Sequence, residues 1–141
     1  MSCVLDFGGD KGQFIPDELR HAECYVYDIS GTEVLDGIHL IKNPEKLSDY
    51  KWDFIMCCHV MEHLPDVQSY FRYLVSLMND NTYLYVEVPY ERPGNVDYVG
   101  IHEHINMFGR RAFEMLAVQH GLCMVKMNVN NAISCLFKRK V

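Results

Sequence analysis

Short apolar runs rich in β-branched and aromatic residues recur at 3–7, 24–29, 37–41, 53–58, 82–88, 122–128 and 132–138. Each has the length and composition of a strand. Several alternate too little for a sheet with one wet face, and such runs suit strands covered by helices on both sides. Between 66 and 78 the period changes. Val67, Tyr70, Phe71, Leu74, Val75 and Met78 follow the i, i+3, i+4, i+7 spacing of one helix face, and Pro65 and Asp66 suit its start. A second helix is predicted over 110–120, with Phe113, Leu116 and Ala117 inward and Gly121 as its stop. A third, shorter one is predicted over 16–21.

Strands alternating with helices predict an α/β fold: a Rossmann-like, doubly wound, mostly parallel seven-stranded sheet with right-handed crossovers. The last two strands differ. Only Val129, Asn130 and Asn131 separate them, too few for a parallel return, so the C-terminal strand must run antiparallel. The chain of 141 residues is read as one domain, 1–141, abbreviated at the N-terminus and thin around 37–41, where the flanks are too short for full helices.

Composition narrows the function. With 49% apolar and 23% charged residues the chain is globular, and its net charge of -6 argues against nucleic acid as a partner. The basic cluster at 138–140 reads as a solvated strand end. The six cysteines, Cys3, Cys24, Cys57, Cys58, Cys123 and Cys135, form no C-x-x-C pair and read as small hydrophobes of a reduced, cytoplasmic protein. No apolar stretch reaches membrane-spanning length. The oligomeric state is not encoded in any of these patterns.

The first strand runs into VLDFGGDKGQF, a glycine-bearing turn with a helix expected after it. In an open parallel sheet, the crevice beyond the strand's carboxyl end is where nucleotide-like ligands sit. Gly8, Gly9 and Gly12 would let the backbone approach a ligand, with Asp6 just before them. A dinucleotide fingerprint would want glycines at 8, 10 and 13, but 10 and 13 are Asp10 and Gln13, so NAD is disfavoured. Asp10 would also repel a pyrophosphate at that turn and tolerate a ligand without phosphates. Twenty-two residues after Asp6, the second strand ends in YVYDIS with Asp28. An acid there holds ribose hydroxyls in such folds or, more plainly, caps the next turn.

Taken in order, VLDFGG..G, YVYDIS and WDFIMCCHVMEHLPD resemble the motifs of class I S-adenosylmethionine-dependent methyltransferases over nearly the whole chain. The chain most resembles the group whose fourth strand enters an E-H-L/V-P-[DN] turn, matched by Glu62, His63, Leu64, Pro65 and Asp66. The resemblance implies S-adenosylmethionine as cofactor. Its methionine portion would lie on Gly8, Gly12, Cys58 and His59, its ribose on Asp28, and its adenine near Ile29, with Asn43 at the adenine edge. The group usually has glycine where Asp10 stands, and N-terminal helices that help close the site. Residues 98–122 loosely resemble members that modify sugars or polysaccharides, which implies a small-molecule or glycan acceptor.

Histidines supply the candidate acid–base chemistry. His63 and His104 are the candidate catalytic residues, since an imidazole titrates near neutrality and could take a hydroxyl proton. The bland alternatives are that His63 ties its loop to the helix below and that 105–108 is a buried anchor carrying His104 passively. His21, His39 and His120 read as surface or helix-end residues. His59, Glu62 and His63 also spell H-x-x-E-H, an inverted zinc-peptidase motif. That motif needs both histidines on one helix face, and Pro65 leaves too little helix. No metal is assigned, although 102–104 could complete some metal site. The remaining alternative is a noncatalytic methyltransferase-like binding or regulatory module.

Overall fold

The computed structural model describes residues 3–90 and 104–140. Seven strands form one sheet: β1 (Cys3–Phe7), β2 (Glu23–Tyr27), β3 (Ile38–Leu40), β4 (Phe54–Cys58), β5 (Tyr83–Pro89), β6 (Leu122–Val129) and β7 (Ala132–Arg139). Their order is β3-β2-β1-β4-β5-β7-β6. The first five strands are parallel, and β7 enters antiparallel between β5 and β6. The α/β, Rossmann-like, mostly parallel sheet with antiparallel C-terminal strands is therefore as expected. All seven strands lie where the apolar runs stand.

Period 2 sorts the side chains onto two faces. Leu5, Phe7, Ile55, Cys57, Leu84, Val86, Ile133, Cys135 and Phe137 enter the main core. Against them pack α1 (Val67–Ser76), through Phe71, Leu74 and Val75, and α2 (Arg110–Gln119), through Phe113, Leu116 and Ala117. Asp66 caps α1, its side chain accepting from the Ser69 amide at 3.0 Å. Gly121 ends α2 with φ +65°, the left-handed stop that glycine adopts at least cost. Arg139 donates to the Val75 and Met78 carbonyls at 2.8 and 3.2 Å. Part of the basic C-terminal cluster thus satisfies the open carbonyl end of α1.

The opposite face differs from expectation. It carries a smaller cluster, Val4, Ile15, Cys24, Val26 and Met56, and both described α-helices belong to the other face. No α-helix follows the glycine turn. The helix expected over 16–21 is only a 3-10 turn, Asp17–Leu19, with i→i+3 bonds and no side-chain cap. Ile15 is buried while Asp17 and Glu18 are exposed, so the segment lacks the repeated apolar stripe that would hold a helix on the sheet. The cysteines are free, and four of them are buried; Cys123 is exposed. No helix among the described residues is long and apolar enough to cross a membrane.

Candidate functional site

The carboxyl ends of β1, β2, β4 and β5 converge on one crevice. After Phe7 the chain turns through Gly8 at φ +79°, where a Cβ would lie 2.3 Å from the Val60 side chain. A Cβ on Gly9 would lie 2.2 Å from the Asp6 carboxylate, so this turn can hold its shape only with glycine over Asp6. Asp6 is 2% exposed, and its Oδ2 has no hydrogen-bond partner among the described residues. Burial, with a smaller push from Asp28, raises its pKa to about 7. Asp6 therefore lies beneath the crevice rather than lining it. Gly12 also faces inward, its missing side chain leaving room for Ile38.

Asp28, just past β2, binds the turn from the other side. Its Oδ2 accepts from the Asp10 amide at 3.0 Å and its Oδ1 from the Ser30 amide at 2.8 Å. Burial alone would raise its pKa, but these hydrogen bonds outweigh it and hold the carboxyl below its ordinary value. Asp28 thus caps its turn and still carries an ionised carboxylate with lone pairs to spare. Ile29 beside it is 92% exposed. Asn43 caps the 3-10 turn Pro44–Asp49, its Oδ1 accepting from the Glu45 amide at 3.0 Å.

Two cavities meet at Gly8 and His59. A smaller one of about 280 Å³ is lined by Tyr27, Asp28, Ile29, Val60, His63 and Tyr70 among others. A larger one of about 680 Å³ lies toward the thinly covered face, between Gly9, Asp10, Phe14, Phe54, Cys58, Tyr85 and Glu87. Their combined form is a cleft of the size that binds small molecules, with apolar walls and a few convergent polar groups. Seven predicted residues thus border it: Gly8, Gly9, Asp28, Ile29, Cys58, His59 and His63.

The loop after β4 is strained and polar. His59 adopts φ +55°, uncommon for a side-chain-bearing residue. Its Nε2 is 3.2 Å from Glu87 Oε1 and its Nδ1 is 3.5 Å from Glu62 Oε1. The Tyr85 hydroxyl donates to Glu87 Oε2 at 2.6 Å, and burial together with that carboxylate pushes its pKa up. Cys58 is pushed up to about 12, chiefly by burial, which keeps it a neutral thiol. Sequence reasoning missed Tyr85 and Glu87. The signal was present: Glu87 interrupts the otherwise apolar YLYVEV strand close to its carboxyl end.

The H-x-x-E-H reading fails on geometry, since Met61–His63 is a single 3-10 turn and His59 precedes it in a left-handed conformation. A different pairing forms instead. Ile105 and Asn106 donate their amides to the Glu62 carbonyl at 2.9 and 3.1 Å, and the Asn106 side chain donates to the carbonyls of Met61 and Leu64 at 3.2 and 2.6 Å. This clip places the His104 ring 4.8 Å from that of His63, edge to face. The expected buried anchor over 105–108 reduces to Phe108, because Ile105 and Met107 are exposed. His102 and Glu103 lie outside the described residues.

Comparison with known proteins adds the family. Residues 1–127 match the model of a family described as "Methyltransferase domain". No curated protein sequence matches the chain. Among solved structures, 99% of the chain superposes on LepI in complex with SAM (16% identity, TM-score 0.73) and on the mitomycin 7-O-methyltransferase MmcR (15%, 0.73). The same share superposes on a putative methyltransferase of Haloferax volcanii in complex with the Trm112 methyltransferase activator (9%, 0.74). The chain spans 43% of LepI, 49% of MmcR and 83% of the third. At these identities the likeness is one of fold.

Proposed function

Because the chain belongs to the methyltransferase-domain family, we propose that its crevice binds S-adenosylmethionine and presents it to a small-molecule acceptor, a sugar or glycan unit being the preferred class. The observation that carries this reading is the position of Asp28. Its ionised carboxylate stands at the carboxyl end of β2, on the wall of the smaller cavity and one hydrogen bond from the glycine turn. A diol-bearing nucleoside needs such an acceptor, and exposed Ile29 next to it offers an apolar face for a base.

The larger cavity suits the rest of the ligand and the acceptor. Gly8 and Gly9 present bare backbone, and Cys58 and His59 line the floor. Phe14, Phe54 and Tyr85 give flat walls while Glu87 and His59 give polar edges, a combination that suits the apolar face and hydroxyl rim of a sugar ring. S-adenosylmethionine supplies a methyl group already made electrophilic by its sulfonium. The protein's tasks are alignment of the acceptor and removal of a proton where the acceptor is a hydroxyl. His63, on the cavity wall, is proposed to take that proton, with His104 against its edge orienting the ring.

Calorimetric titration with S-adenosylhomocysteine, with NAD as comparison, tests the reading. Saturable binding of the first alone, weakened at least tenfold by Asp28→Ala, is the expected result. Absence of binding would leave a noncatalytic methyltransferase-like module; unchanged affinity in the variant would remove Asp28 from the site.

A further inference from the structure

The clip between the loop after β4 and residues 104–108 gathers metal-ligating side chains. Glu62, His63 and His104 each offer one donor atom, and the three atoms lie within 4.8 Å of one another. A tetrahedral zinc site holds its donors roughly 3.4 Å apart, given Zn–N and Zn–O distances of about 2.0–2.2 Å. Small side-chain rotations therefore suffice to close around an ion.

The clip makes the arrangement fixed rather than accidental. Glu62 contributes both its side chain to the cluster and its carbonyl to the amides of Ile105 and Asn106. The backbone therefore sets the separation of the three ligands before any ion arrives, which limits the entropy lost on binding.

Glu62 supplies a second, independent sign. Its side chain is 2% exposed and its Oε2 is buried with no hydrogen-bond partner among the described residues. Among the described residues, the ion-pair neighbours of its Oε1 are imidazoles, His59 at 3.5 Å and His63 at 3.8 Å. A buried carboxylate with an unmet oxygen is costly unless a cation satisfies it. His63 keeps its side chain 38% exposed, so the cluster opens toward solvent and an ion can enter.

We propose that Glu62, His63 and His104 form a binding site for a divalent transition-metal ion of the zinc class, with a coordination position left open toward the crevice. Two imidazoles and a carboxylate are a donor set that such ions prefer over magnesium or calcium. His59, bridging Glu62 and Glu87, braces the carboxylate from outside the ligand set. An ion and a proton compete for the same imidazole nitrogens, so occupancy sets whether His63 is free to act as a base. This inference stands on the three ligands alone and does not require the cofactor reading.

The whole chain, freed of metal with a chelator, is titrated with Zn2+ by calorimetry and with Co2+ by visible absorption. One equivalent of each is expected to bind, with a Co2+ d–d band and a higher thermal midpoint in Zn2+. His104→Gln and Glu62→Gln should each weaken binding at least tenfold, with His63→Gln, at a partly exposed position, as the variant least open to a folding defect. Circular dichroism checks each fold. Asp28→Ala should lose S-adenosylhomocysteine and keep Zn2+, which separates failure of one site from failure of the other. No saturable ion binding, or affinity unchanged in correctly folded His63→Gln and His104→Gln, overturns the proposal.

Discussion

Asp28 Oδ2 accepts a hydrogen bond from the backbone amide of Asp10 at 3.0 Å, joining the end of β2 to the glycine turn after β1. Asp10 makes that bond from φ +49°, a left-handed conformation. An aspartate there stores strain that glycine would not.

Asp10→Gly should therefore stabilise the fold by up to about 1 kcal/mol, the relief of strain being partly offset by the added freedom of the unfolded chain. The thermal midpoint should rise by roughly 3 °C. The amide and its bond to Asp28 remain, so affinity for S-adenosylhomocysteine should hold or improve. Differential scanning calorimetry beside the binding titration checks both, and a lower midpoint would show that the Asp10 side chain supports the turn.

Asp6 gives a pH dependence of definite sign. Its pKa is raised to about 7 in the folded protein, from 3.8 in an unstructured chain. Below about pH 4 both states hold the proton and the group costs nothing. Between about 4 and 7 the unfolded chain releases the proton and the folded protein keeps it, so stability falls as pH rises, by about 4 kcal/mol in total. Asp6→Asn removes this contribution. Denaturant midpoints measured from pH 4 to 8 should show the variant gaining steadily on the parent; parallel curves would mean that Asp6 ionises normally.

Gly9→Ala should be costly through one contact. Its φ is not among the left-handed values, so the penalty comes from the new methyl meeting the Asp6 carboxylate, on the order of 1–3 kcal/mol. Most of that loss should vanish in an Asp6→Ala background. A double-mutant cycle in urea measures the coupling, and additive losses would place the strain elsewhere.

Asn106 carries the clip. Asn106→Ala removes two side-chain bonds to the Met61 and Leu64 carbonyls and should cost about 2 kcal/mol. Hydrogen exchange should then quicken at Ile105 and His63, whose amides lie at the junction, while the β4 and β5 amides stay protected. Uniform loss of protection across the sheet would instead show that the clip holds the whole domain.

Much of the fold was legible because local patterns are printed in local spacing. The sequence by itself determined the seven strands, the inward faces of α1 and α2, the Asp66 cap, the Gly121 stop and the antiparallel return of β7 on β6. It also marked Asp28, because an acid at the end of the second strand is a positional signal. Where the spacing was weak, at 16–21, the predicted helix gave way to a 3-10 turn, since no apolar stripe held it to the sheet. Only the tertiary structure placed β7 between β5 and β6 and set Tyr85 and Glu87 against His59. It alone brought His104 to Glu62 and His63, some forty residues away, through a carbonyl and an asparagine that carry no periodic signal. Such contacts depend on strand order and loop path, which are settled by packing of the whole chain rather than by any window of its residues.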